Sequence, residues 1–189
     1  MGAVLFYSVI VLLLVYGIFV YNQLVNLKHN VSMAWANIDV LLKQRHDELP
    51  KLVETCKQYM KFEQETLERV MLARTRVANA RETHDVGGLG QAEDALKLGL
   101  GRLFAVAEAY PELKTDETFK LLQARISGLE NAIADRREFY NDSVNINNVR
   151  IEQFPDSFVA SLFKFGPFPL LRFSQSEKVD VDLQQAFKS

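Results

Sequence analysis

The chain has one cysteine, three histidines, one tryptophan and five prolines in 189 residues. These scarcities exclude whole classes of chemistry. The single cysteine, Cys56, cannot make an intrachain disulfide. His29, His46 and His84 stand in no H-E-x-x-H or Glu-x-x-His spacing, so neither a zinc site nor a di-iron bundle site is expected. There is no G-x-S-x-G, Walker loop or kinase signature. Gly87-Gly88 follows no strand and opens no G-x-G-x-x-G, so it reads as turn chemistry. His46, Asp47 and Glu48 are neighbours in sequence but spread round a helix, whereas an active site needs groups that converge in a pocket. A net charge of −2, with acids and bases interleaved, leaves no nucleic-acid footprint. No catalytic, cofactor or metal residue is therefore expected, and the chain reads as a non-enzyme.

The most informative lack is charge at the start. No Asp, Glu, Lys or Arg occurs before Lys28, and residues 3–20 read AVLFYSVIVLLLVYGIFV. A helix of about 20 residues, rising 1.5 Å each, spans the roughly 30 Å hydrocarbon layer of a bilayer. A cleaved signal peptide would carry a basic n-region and a small-x-small site, and both are missing. Cys56 lies too far on for a lipidated N-terminal cysteine, and Phe6 stands where a myristoylation site wants Ser or Thr. The expectation is an uncleaved anchor over residues 1–24. Lys28, Lys43 and Arg45 lie on its C-terminal side, so the positive-inside rule puts the adjoining domain in the cytoplasm.

Beyond the anchor the pattern is helical. Apolar residues recur every three or four positions from residue 28 to 81, as in a coiled-coil or bundle seam, and no glycine interrupts them. The first helix is expected to run from the anchor to Arg81, on the order of 80 Å. Pro50 lies inside it, removing one hydrogen bond and crowding the His46 carbonyl, so a kink is expected there in preference to a break. A second helix is expected over residues 89–109, with Gly99 and Gly101 either admitting a close neighbour or merely loosening it. Pro111 breaks the pattern, and Thr115 should cap a third helix that persists to about Asn148. The bundle is placed at residues 25–150. Residues 151–189 form an apolar Phe/Pro-rich segment and tail, in which Asp156 should cap a short turn over residues 157–163.

Three polar or aromatic features stand out. Arg45 and Arg136 occupy seam positions, with Asp39 beside the first seam. Their stems are expected to lie along the seam with the heads in water; the alternative is a buried pair that fixes register. Asn141, Asn145, Asn147 and Asn148 either pair with the first helix near Asn22 and Asn26 or mark a frayed end. The phenylalanines at 154, 158, 163, 165, 168 and 173 are too apolar to remain in water. They are expected to pack along the chain's own bundle first, on a neighbouring copy next, and on the bilayer interface last.

Several segments together resemble the LemA family: Tyr21-Asn22-x-Leu24-Val25; Val31-x-x-Ala34-Trp35-Ala36-x-Ile38-Asp39-Val40-x-Leu42-Lys43-x-Arg45; Leu49-Pro50-x-Leu52-Val53; Tyr110-Pro111-x-Leu113-Lys114; Glu130-x-x-Ile133-Ala134-x-x-Arg137-x-x-Tyr140-Asn141; and Phe154-Pro155. The resemblance runs from the anchor to about residue 160. It implies a bacterial membrane protein with one N-terminal span and a helical bundle, with no settled reaction. One relative takes part in building magnetosome membranes, which suggests scaffolding or membrane shaping. It also makes Pro50 and Arg45 family positions.

The fold expected is all-α: a transmembrane helix continuing into a long kinked helix, packed with two further antiparallel helices as an elongated bundle. Because those two are shorter, part of the first helix's apolar stripe should stay exposed and invite another copy. The function expected is a single-pass, homo-oligomeric scaffold of the bacterial inner membrane, with membrane lipid as its other partner. Trp35, Leu41, Arg45, Phe158, Phe163, Phe165 and Phe168 are the expected contacts, and Pro50, Asp39, Arg136 and Pro111 the structural positions. The alternative is an adaptor or regulator of another membrane protein: a protease, transporter or sensor.

Overall fold

The structure, a computed structural model, describes residues 1–172. Among them there are six helices and no strand: α1 (Gly2–Tyr59), α2 (Gln64–Glu82), α3 (Val86–Ala107), α4 (Pro111–Thr115), α5 (Glu117–Glu152) and α6 (Asp156–Leu162). The expected all-α bundle is what the chain forms. It divides into two compact units. The first holds Met1–Leu42 and Glu130–Leu170; the second holds Lys43–Leu129 and, of the described residues, Leu171 and Arg172.

In the first unit, α1 and α5 run antiparallel, because Gln23 meets Arg150 while Trp35 meets Tyr140. Leu24, Val31, Ala34 and Ile38 from α1, and Ile133, Tyr140 and Val144 from α5, are buried. Each fully buried large aliphatic side chain contributes roughly 1.5–3 kcal/mol. The apolar residues before Phe19, in contrast, are exposed.

In the second unit, the first helix does not reach Arg81. It ends at Tyr59, and residues 60–63 turn the chain back into α2, so His46 and Arg74 meet across the hairpin. No glycine, proline or asparagine marks this turn. Tertiary contacts hold it instead. The Tyr59 hydroxyl donates to Asp116 Oδ2 at 3.1 Å, the Tyr110 hydroxyl to Glu63 Oε1 at 3.5 Å, and Met60 is buried. The reversal also corrects the expected exposed stripe. Leu49, Leu52, Cys56, Leu67, Val70 and Val77 are all buried within this unit.

Pro50 lies inside α1, which continues through it. It has no N–H to give the His46 carbonyl, the group four residues back. Arg74 on α2 takes that role, donating from Nε to the His46 oxygen at 2.9 Å. The helix defect and the hairpin partner are thus one feature.

The remaining boundaries follow local chemistry. Asp85 caps α3 by accepting from the Gly88 N–H at 2.9 Å. Asp116, not Thr115, caps α5, accepting from Phe119 N–H at 2.8 Å; Thr115 closes α4. Pro111 opens α4 at the first helical position, where its missing N–H has no intrahelical acceptor to lose. Gly99 faces Val70, and an added Cβ would sit 3.5 Å from it, ordinary contact, while one on Gly101 would meet nothing. The glycine that matters is Gly90. A Cβ there would lie 2.8 Å from the Arg172 carbonyl, so the chain after α6 crosses α3 where only glycine leaves room.

Replacing Arg74 by Met is expected to cost about 1.5–3 kcal/mol, the range for a hydrogen bond from a charged donor. In a Pro50→Ala background residue 50 regains its N–H, and the same replacement should cost clearly less. Urea unfolding of the four full-length chains measures this coupling.

Candidate functional site

Two places in the molecule concentrate chemistry that plain core packing does not require. The first is in the second unit. Arg45, 2% exposed, pairs through Nη2 with Glu93 Oε1 on α3, itself buried. The expectation that the guanidinium reaches water is therefore corrected, because no water-facing edge remains and an acid is supplied instead. Removing one partner of such a pair strands a charge, costing about 3–5 kcal/mol, whereas well-packed apolar replacement of both is often neutral. Glu48, one helical turn on, is also buried and meets Lys51 at 3.3 Å and Arg125 of α5 at 3.5 Å. His46 is half-buried on the side of α1 that meets Arg74 of α2. Burial first, and then the Arg74 guanidinium, hold its pKa below the ordinary 6.5. Cys56 is fully buried, and burial pushes its thiol up to about 12, which suits an inert core residue.

Arg136 is exposed; its neighbour Arg137 takes the buried seam position. Asp39 is half-buried beside its seam. Among the described residues no group of three or more His, Cys, Asp or Glu is arranged to hold a metal ion.

The second place is the end of the first unit that carries the apolar run. Helix α1 is long and apolar enough to cross a membrane, near its N-terminus, and that stretch is almost wholly uncovered. Where cover begins, the C-terminal segment supplies it. Val20 and Leu24 form one buried cluster with Ala160 of α6, with Ile151, Val159 and Phe165 packed against it. Tyr21 packs tilted against Phe163 at 4.7 Å and edge-on to Phe165 at 5.7 Å between ring centroids.

Asn148 explains part of the asparagine cluster. Its Nδ2 donates to the Phe168 carbonyl, and its Oδ1 accepts from the Phe168 N–H, both at 2.9 Å. The carboxamide thus holds the backbone of the C-terminal segment, as a strand neighbour would, and not Asn22 or Asn26. The Tyr140 hydroxyl donates to Pro169 O at 3.0 Å, and burial raises its pKa. Asp156 is no cap: it is buried and ion-paired with Arg150, which also donates to Gln23 at 2.8 Å.

The expected contact residues therefore separate. Arg45 is internal, Trp35 lies edge-on to Tyr140 at 5.6 Å, and Leu41, Phe165 and Phe168 are half-buried. Phe158 and Phe163 are exposed. Phe173 lies outside the described residues. Reading by periodicity missed Glu93 and the role of Arg74, whose partners are far away in sequence, and singled out Asn148 without its partner Phe168; only the out-of-place Arg45 hinted at Glu93.

A long helix bearing an uncovered apolar run, joined to a helical bundle with a buried ion pair, defines a membrane-associated all-α protein. A model of the LemA family matches residues 34–184. The chain belongs to the LemA family. It is 24% identical over 168 residues to the magnetosome protein MamQ 2 of Paramagnetospirillum magneticum, covering 77% of this chain and 62% of that protein. It is 26% identical over 195 residues to protein LemA of Metamycoplasma hominis, covering 97% of this chain and 86% of that protein. The chain thus spans less than two thirds of the magnetosome relative.

Arg45→Met alone is expected to lower stability by about 3–5 kcal/mol, and Arg45→Met with Glu93→Leu to recover most of it. Chemical denaturation of the single and double variants reads this out. For His46, the unfolded chain binds a proton between the lowered pKa and 6.5 while the folded chain does not. Stability should therefore fall as pH drops below about 6.5. His46→Gln keeps the backbone acceptor and should flatten that slope, seen as unfolding midpoints across the mildly acidic range.

Proposed function

We propose that this protein is a non-enzymatic, single-pass membrane scaffold that associates with copies of itself to organise or shape the membrane. Residues 3–20 cross the bilayer, and the domain stands on the cytoplasmic face of a bacterial inner membrane. The observation that carries self-association is apolar surface on the unit that holds the anchor. Phe139, Ile146 and Val149 lie exposed along one face of α5, and Met33 and Val40 are exposed on α1. Each pair Met33/Val40 and Phe139/Ile146 is seven residues apart, the spacing of a seam. Exposed apolar rows held at one height above a bilayer need only two-dimensional diffusion to meet. This replaces the stripe on the first helix, which the hairpin buries. The similarity to magnetosome proteins supports a role in membrane organisation.

Cross-linking in membranes, followed by particle imaging in nanodiscs, is expected to show more than one copy per particle. Ile146→Glu, at an exposed position, should reduce that number without unfolding the chain. Strictly single copies throughout would contradict the reading; single copies joined to one stoichiometric membrane protein would transfer it to an adaptor or regulator.

A further inference from the structure

Helix α6 packs against α1 at a height where the spanning reading puts lipid, not water. One wall of an open cleft of about 650 Å³ is built from α1 between Leu13 and Tyr21. The other is built from α6 and its flanks, including Phe158, Leu162 and Phe163. No residue lining it carries a charge. Along a helix axis, Leu13 to Tyr21 covers about 12 Å, against roughly 15 Å for the hydrocarbon of one leaflet.

The wall that α6 and its flanks give this cleft is itself largely open. Phe158 and Leu162, four residues apart on one face of α6, are 74% and 66% exposed, and Phe154, in the turn before the helix, is 90% exposed. The one charged residue of α6, Asp156, points inward to Arg150. Pairing and burial remove the group that lipid would reject most strongly. Exposed Lys164 follows at the end of the helix, where a cation can reach a headgroup.

We propose that α6 is a second lipid-inserted element. Its Phe158 and Leu162, with Phe154 just before the helix, sit among the acyl chains of the leaflet on the domain side, and an acyl chain occupies the cleft against α1. Lipid is the occupant because the cleft is continuous with the uncovered apolar run of α1, with no charged residue at the join. The proposal rests on the spanning reading of residues 3–20 and extends it. An element inserted in one leaflet alone adds cross-section to that leaflet, a direct route from this fold to membrane shape.

The test uses the full chain in vesicles of phosphatidylcholine and phosphatidylglycerol, with and without a doxyl quencher on the acyl chains. Buried Cys56 stays unlabelled, so Phe158→Cys takes a small fluorescent maleimide selectively. Leu162→Cys reads the same face independently, Leu13→Cys marks the span, and exposed Lys120→Cys marks the domain. The labels at 158, 162 and 13 should lose most of their emission to the quencher, while the label at 120 keeps it. Loss at 13 but not at 158 or 162 overturns the proposal. So does mutual quenching of 158 labels on two copies without loss to lipid, which would make a second copy the occupant. No loss at 13 overturns the spanning reading, and the proposal with it.

Discussion

Within its own unit, almost nothing covers the apolar run of α1 before Phe19, and that stretch has no charge to hold it in water. The remainder of the first unit is organised by where that exposure stops. At Val20 and Leu24 the same helix becomes buried, and α6 and the segment after it provide the cover. Polar groups at this end are matched individually: Asp156 with Arg150, Arg150 with Gln23, and the Phe168 backbone with Asn148. Such matching spares buried polar groups the cost of going unpaired away from water.

The second unit solves a different problem. A helix that carries Pro50 and Arg45 on its way to Tyr59 has a missing donor and a buried charge to accommodate. Each is answered from a neighbouring helix: Arg74 of α2 for the freed carbonyl, Glu93 of α3 for the guanidinium. These contacts single out one arrangement of α1, α2 and α3, since apolar seams alone tolerate shifts of register. A stabilising role for Pro50 and Arg45 therefore needs no reaction to explain it.

Much of this was legible in the sequence. The uncharged start marked α1, the 3.5-residue repeat marked the bundle, and Pro111 marked a boundary; Gly87-Gly88, expected as a turn, instead forms the first turn of α3, which starts at Val86 because Asp85 caps it. The turn at residues 60–63 was not, because its sequence holds no helix breaker and long-range contacts of Tyr59 and Tyr110 hold it. Losing that turn made one long helix of two, and with it an exposed stripe that does not exist. The Arg136 expectation failed by one residue. A step of three after Ile133 points to Arg136 and a step of four to Arg137, and a helix of 3.6 residues per turn uses both. At the candidate site, the apolar phenylalanines announced themselves, but which of them would be covered depended on Asn148 and Tyr21, partners that no local pattern reveals.

The central claim is that α1 holds the chain in lipid and that the domain begins where α1 turns from exposed to buried. Alkaline carbonate extraction of membranes containing the full chain tests it most directly. The account predicts that the protein stays with the lipid pellet. Release of the intact chain into the supernatant would contradict it.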